Sequence, residues 1–348
     1  MTTEMFHPRT PADVVEIVRG ASADRRTLLP VGGRAHIDRG NPTEPDAELW
    51  TTQLDGIVAY EPAEMLVVVE AGMRCGDLAT ALAEHDQEWP VDAPAESTVG
   101  GVIAAGTSSF RRRRVGHVRD TVVEMTTVTG DGRTITSGAR TVKNVSGFDV
   151  HRLMTGSLGT LGIIVQVGLK IRPLPRARAV IRASADDAMA LADRLATAVP
   201  QAAAVLAAPG DVTLHLEGWP DEVSELEAMA GAIAPLEAVD DPHGLSFPDA
   251  PTVAEVALPP SRLPEVLVRH DRWQALAGVG IAWVGVDGPE ELATLRATVA
   301  EGGGIAPAIR GPGGLGTSAV PAPDVHRRLK AAFDPHGVLV PGRFWNGG

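Results

Sequence analysis

Along the first half of the chain, apolar side chains recur at two spacings, and each spacing predicts a different element. Val14, Val15, Ile17 and Val18 share one helical face behind a capping Thr10 and a first-turn Pro11, which predicts an opening helix. TLLPV then reads as a strand running into the turn GGRAHIDRG. Short strands are predicted over 56–59 and 65–70, followed by a helix of about three turns in CGDLATALAEHDQ. The stretch DAPAESTVGGVIAAGTSS reads as loop, a short apolar piece, then loop. TVVEMTTVTGDGRTITSG gives two strands about a hairpin turn at Asp131 and Gly132. LGIIVQVGLKIRPLP gives a strand stopped by Pro173 and Pro175.

Beyond Pro175 the texture changes. Alanine-rich amphipathic helices, predicted over 185–198, 221–233 and 289–301, alternate with strands such as DVTLHLEGW and GIAWVGVD. A domain boundary near 173–178 follows, dividing the chain into 1–175 and 176–348. The last element is a helix over about 323–333 with a turn and an extended tail.

The glycines change the picture. TVKNVSGFDVHRLMTGSLGTLGII places Gly156, Gly159 and Gly162 at every third position, where each costs a helix about 1 kcal/mol against alanine. Three Gly-rich turns occur, over 30–36, 97–109 and 156–163. None ends in Gly-Lys-Ser/Thr, and none forms a GxGxxG between strand and helix, so neither a P-loop nor a doubly wound dinucleotide site is supported. Successive amides in such turns nevertheless form concavities that hold anions, pyrophosphate included. One such loop reads as a tight turn; three, interleaved with Thr98, Ser108, Ser157 and Thr160, point toward a ligand.

Composition narrows the classes. A net charge of −13 over 348 residues argues against nucleic acid or an anionic membrane as partner. The single Cys75 excludes a disulfide framework, a cysteine-ligated zinc and an iron–sulfur cluster within this chain. There is no apolar signal core and no apolar run of the ~18–20 residues a span requires. The expectation is a cytoplasmic protein, with membrane association only through partners. The run Arg111, Arg112, Arg113, Arg114 reads as a partly solvated, partner-facing loop, with an anion contact as the alternative.

Several of these segments, PVGGRAH, AESTVGG through TGDGR, VKNVSGFD and GSLGTLGII, resemble in order and spacing the FAD-binding domain of the vanillyl-alcohol oxidase/p-cresol methylhydroxylase (PCMH-type) superfamily. The tail FDPHGVLVPGRF looks like the ending of that family. Within it, chain length and short second domain most resemble the smaller FAD-binding subunits of bacterial glycolate oxidases. The resemblance implies an α+β fold, with a PCMH-type FAD-binding domain of two α+β subdomains followed by a smaller α+β oxidase C-terminal domain.

It also implies a cofactor, FAD, and the residues that hold it. Val31, Gly32, Gly33, Arg34, Ala35 and His36 would form the pyrophosphate loop. Thr98, Val99, Gly100, Gly101, Gly106, Thr107 and Ser108 would cover flavin and diphosphate from the other side, with Asp120 nearby. Gly156, Gly159, Thr160, Gly162 and Ile163 would lie near the adenosine half. Lys143, Asn144 and Asp149 either pin this last loop structurally or contact the ligand. Relatives that attach FAD covalently use a histidine at the slot held here by Ala35, with His36 one residue later, so FAD is expected to be non-covalent. Val340 stands where relatives usually carry asparagine before Pro-Gly.

Oxidation of a 2-hydroxy acid needs a base for the hydroxyl proton and a cation for the carboxylate near the flavin. The histidine motifs that supply the base in the family are missing, so no catalytic residue is assigned. His215, His243, His270 and Arg310 remain, each also readable as structural. Three readings stay open: a flavin subunit of a 2-hydroxy-acid oxidase or dehydrogenase working beside a larger flavin subunit and an iron–sulfur subunit; a flavoprotein-fold scaffold with weak or no FAD; and a stand-alone alcohol oxidase.

Overall fold

The computed structural model describes residues 3–107, 109–140, 148–239, 247–316 and 322–344. Ser108, Lys143, Asn144 and His243 lie outside these. The fold is mixed α+β and divides into two compact units. The first comprises Met1–Ser109, His117–Leu174 and Ala319–Gly348; the second comprises Phe110–Gly116 and Pro175–Ser318.

In the first unit the opening helix is Pro11–Ala23, and its start is a reciprocal capping box. Thr10 Oγ1 accepts from the Asp13 amide at 3.2 Å, while the Asp13 carboxylate accepts from the amides of Arg9 and Thr10 at 2.8 and 2.9 Å. Val14 and Val18, both fully buried, lay this helix against a three-stranded parallel sheet. That sheet orders Glu4–Phe6, Ala47–Trp50 and Leu28–Val31. A five-stranded antiparallel sheet follows, in the order Ile57–Glu61, Leu66–Glu70, Ile163–Lys170, Val122–Val128 and Thr134–Gly138. The Asp131–Gly132 hairpin joins its last two strands, with Gly132 at φ 75°.

The C-terminal tail belongs to the first unit, whereas the sequence grouped it with the second domain. Leu28 donates its amide to Val338 O at 2.7 Å, and Leu28 and Leu339 form a parallel bridge. The buried Asp334 carboxylate fixes the turn by accepting from the amides of Val338 and Leu339, each at 2.8 Å. Lys330, at the end of the helix Pro323–Phe333, donates to Thr160 O at 2.8 Å and Leu339 O at 2.7 Å. The tail therefore ties the 156–163 glycine loop to the edge of the parallel sheet.

The second unit is an eight-stranded antiparallel sheet with Ala188–Ala198, Pro220–Gly231 and Pro289–Glu301 among its helices. The strand Asp211–Gly218 explains its faces. Val212, Leu214 and Leu216 join the core shared with those helices, while Thr213, His215 and Glu217 alternate onto the opposite face. Residues 110–116 pack on this unit, and the arginine run they carry is partly solvated: Arg112 and Arg113 are half-buried and Arg114 is exposed. Arg111 is buried and pairs with buried Glu217 at 2.9 Å. Arg113 donates to Ala196 O, and Arg114 donates to Gln201 O at 2.8 Å and Glu217 O at 3.1 Å. Arg111, Arg113 and Arg114 thus tie the run to the second unit. Among the described residues, no helix is long and apolar enough to cross a membrane.

Candidate functional site

The three glycine turns meet in the first unit around a cleft of about 720 Å³, counting the part open to solvent. Val31, Gly32, Gly33, Arg34, Ala35 and His36 line it from one loop; Thr98, Gly100 and Gly101 from a second; and Gly159, Gly162 and Ile163 from a third.

The 32–36 loop carries the clearest chemistry. Among the described residues, the backbone amides of Gly32, Gly33, Arg34 and Ala35 donate to no protein acceptor. Arg34 sits at φ 60°, a left-handed conformation that L side chains rarely adopt and that costs about 1–3 kcal/mol. Consecutive amides around a left-handed residue make an anion-binding concavity. Arg343 also lines the cleft. It is 6% exposed and donates to Ile37 O at 2.6 Å, and burial pushes its pKa down from the ordinary arginine value.

The second loop differs from expectation. Its apolar stretch is a helix, Val99–Ala105, whose cap Thr98 accepts from the Gly101 amide at 3.2 Å. Val99, Val102 and Ile103 are fully buried, so Val99 belongs to the core and lines neither cleft. Gly106 ends the helix at φ 65°.

Most of the glycines bring protein up against protein. A Cβ on Gly32 would lie 2.1 Å from Thr98 Oγ1, and one on Gly33 would lie 2.4 Å from Glu96 O. One on Gly100 would meet Ala71 Cβ at 2.7 Å, and one on Gly162 would meet Thr127 Cγ2 at 2.3 Å. One on Gly106 would sit 3.0 Å from Gly156 Cα, where the second and third loops touch backbone to backbone. Gly101 is different: only Thr98 Oγ1, at 2.9 Å, lies near its missing Cβ.

Gly156 and Thr160 line a second cleft of about 1350 Å³, again including open space, together with Ser157, Lys330 and Val340. Burial lowers the Lys330 pKa, and its ammonium pairs with Asp334. Gly106 and Thr107 line neither cleft. Asp120 accepts from Arg152 at 3.1 Å and from the His117 amide at 3.2 Å, outside both clefts, and Asp149 lies 3.8 Å from Arg152. These acids pin local structure.

Sequence reasoning missed Ser97, Leu158 and Arg343 as lining residues. Arg343 stood inside the PGRF pattern, which was read only as a shared ending; Ser97 and Leu158 carry no signal of their own. Buried hydroxyls of Ser97, Thr107 and Ser157 have no hydrogen-bond partner among the described residues. Such groups cost about 1–3 kcal/mol each when left unmet. In the first cleft the unmet 32–35 amides, the unmet Ser97 hydroxyl and the buried Arg343 guanidinium beside glycine-lined walls fit an anionic, polyhydroxylated ligand such as a dinucleotide.

The remaining candidates do not converge. His215 packs its ring 4.8 Å from Phe110, His270 lies 3.5 Å from Glu291, and Arg310 donates to Pro248 O at 2.7 Å. The Cys75 thiol is pushed up to about 12 by burial and by Glu96, so it stays protonated at neutral pH. No metal-holding cluster occurs among the described residues.

The profile of the FAD binding domain family matches residues 4–138. Over 344 residues the chain is 28% identical to the glycolate oxidase subunit GlcE of Escherichia coli (strain K12), covering 95% of this chain and 96% of that protein. It is 32% identical over 172 residues to a D-2-hydroxyglutarate dehydrogenase of Xanthomonas citri pv. viticola, a match taking in 48% of this chain and 36% of that protein. Among solved structures, an alkyldihydroxyacetonephosphate synthase superposes with a TM-score of 0.72 at 15% identity, over 97% of this chain and 76% of that one, which speaks to the fold alone.

Proposed function

Because residues 4–138 belong to the FAD binding domain family, we propose that this chain is an FAD-linked oxidoreductase and acts as the flavin subunit of a glycolate or related 2-hydroxy-acid oxidase or dehydrogenase complex. The observation that carries the reading is the row of four amides, Gly32 to Ala35, that find no acceptor among the described residues in a cleft also lined by buried Arg343. Bound FAD would supply two-electron oxidation of a carbon bearing a hydroxyl. The chain's own residues would do the holding. The 32–35 amides would meet the diphosphate, Arg343 would offset its charge, and Gly101 would leave the wall open for the flavin nucleotide. Attachment is non-covalent, since Ala35 has no nucleophilic ring nitrogen.

The likeness to a named glycolate oxidase subunit supports a multi-subunit setting. A larger flavin subunit and an iron–sulfur subunit are the proposed partners, since the single cysteine leaves this chain without a cluster to carry electrons onward. The proposed location is cytoplasmic, at a membrane only through those partners. Because the second-unit candidates do not converge on one point, a scaffold subunit with little flavin is the second reading.

The purified chain is expected to carry a flavin absorbance band that acid precipitation releases into the supernatant. Anaerobic stopped-flow mixing with a panel of 2-hydroxy acids is expected to bleach it slowly alone and rapidly when both partners are co-expressed. A colourless protein that takes up no FAD would favour the scaffold. Rapid bleaching of the isolated chain would make it a complete enzyme.

A further inference from the structure

We propose that Glu48 and Trp50 form a clasp that sets the shape of the 32–36 anion loop, acting on a bound diphosphate through Arg34. The inference rests on the FAD reading of the cleft. Glu48 and Trp50 sit two residues apart on the strand Ala47–Trp50, so their side chains leave the same face. Trp50 stands in register with Val31, the last strand residue before the loop. The Arg34 guanidinium pairs with Glu48 Oε1 and lies 5.0 Å over the Trp50 ring. Trp50 Nε1 donates to Glu48 Oε2 at 2.9 Å, so each carboxylate oxygen holds one member of the clasp. The Glu48 side chain is only 13% exposed. The His7 ring also stacks on Trp50, with centroids 6.1 Å apart.

Glycine would take the left-handed conformation of residue 34 more cheaply than arginine does. The arginine there is held by ion pair, ring and strand together, and that hold keeps the loop amides turned about one centre. Charge adds a second consequence. Glu48 is an anion close to an anion site, and Arg34 masks it. Removing Arg34 alone should therefore harm diphosphate binding more than removing Arg34 and the Glu48 charge together. A purely structural role gives the opposite order.

The test titrates the full chain, stripped of flavin, with FAD, ADP and riboflavin, and records each variant's thermal midpoint. Glu48→Gln and Trp50→Ala should each weaken FAD and ADP by about tenfold, leaving riboflavin within about twofold. Arg34→Ala should weaken ADP further, and Arg34→Ala/Glu48→Gln should recover part of that loss. Trp50→Phe, which keeps the ring and loses the hydrogen bond, serves if Trp50→Ala fails to fold. Wild-type affinity for ADP and FAD in Glu48→Gln and Trp50→Phe, or a double variant weaker than Arg34→Ala, overturns the clasp while leaving the FAD reading standing. A wild-type chain that binds neither FAD nor ADP overturns the FAD reading, and the clasp with it.

Discussion

In the first unit, four consecutive loop amides and the buried hydroxyls of Ser97, Thr107 and Ser157 meet no protein partner among the described residues. In the second, Arg111 meets Glu217 at 2.9 Å, Trp283 Nε1 meets Glu255 at 3.2 Å and Arg296 meets Ala306 O at 3.0 Å, while Arg113 Nη1 and Asp211 Oδ1 are buried without a partner among the described residues, away from either cleft. Folding meets buried polar groups wherever it can, because an unmet one costs about 1–3 kcal/mol. The 32–35 amides and Ser97 are unmet beside the first cleft and Ser157 beside the second, which makes those walls candidates for a ligand, whereas groups met internally hold the framework. On the proposed reading the first unit carries the ligand cleft, while Arg111, Trp283 and Arg296 make their hydrogen bonds inside the second.

The largest effect should come from breaking that framework. Arg111→Ala takes from buried Glu217 its ion pair at 2.9 Å and leaves Arg178, 3.7 Å away and itself half exposed, as a more distant cation. Removing one partner of a buried pair costs about 3–5 kcal/mol, and the help from Arg178 places this variant near the lower figure. Chemical denaturation should show the loss, and Arg111→Met/Glu217→Gln should be milder than Arg111→Ala. An Arg111→Ala chain as stable as wild type would mean that the run is the solvated loop its composition suggests.

That run shows where the sequence stops being legible. Four adjacent arginines look solvated because their acceptors, Ala196, Gln201 and Glu217, are distant in sequence, and no local pattern announces such pairing. The return of Val338 and Leu339 to the Leu28 strand is hidden for the same reason. Features written into a few neighbouring residues were readable: the Thr10 cap, the Asp131–Gly132 hairpin, and the strand in DVTLHLEGW. The Val99–Ala105 helix was not, because two glycines in seven residues contradict helix propensity. Packing overrides it, since Gly100 must clear Ala71. The glycine loops marked the place of the site, but spacing alone does not tell a backbone that approaches a ligand from one that approaches another strand.

Gly101 and Gly100 separate those two cases. Gly101→Val would place its branches in cleft space beyond Thr98 and should weaken FAD at least about a hundredfold, equivalent to about 2.8 kcal/mol, with the chain still folded. Gly100→Val would drive into Ala71, whose Cβ and O lie 2.7 and 2.8 Å from the added Cβ, and should lower the melting temperature instead. Full flavin occupancy in Gly101→Val would show that this wall faces something else.

A smaller effect tests whether Gly32 exists for its neighbour. Thr98→Ala removes a helix cap worth about 1 kcal/mol. It also removes the hydroxyl 2.1 Å from a Cβ at residue 32. Gly32→Ala should therefore be destabilising alone and better tolerated in a Thr98→Ala background, as a double-mutant cycle in thermal stability would reveal. Additive losses would mean that the glycine answers to the ligand.

The smallest expected effect joins the binding loop to pH. His151, buried in the short helix that precedes Thr155, has its pKa lowered by burial first, with Asp149 raising it and Arg152 lowering it. Its Nδ1 lies 3.1 Å from Ser137 Oγ, and its carbonyl accepts from Thr155 Oγ1 at 3.0 Å. With the folded value below the ordinary 6.5, the native state keeps the imidazole neutral while the unfolded chain takes up a proton first as the solution is acidified. The stability tied to this group is fully present above that unfolded value and is lost as pH falls through the folded one. Wild-type protein should therefore lose more thermal stability between about pH 7 and pH 5 than His151→Gln does. Since Thr155 begins the turn that carries Gly156 and Gly159, FAD affinity should decline over the same window in the wild type and less in the variant. Parallel pH profiles in the two proteins would remove His151 from any role in holding the loop, and leave Lys330, donating to Thr160 O at 2.8 Å from the C-terminal helix, as its anchor.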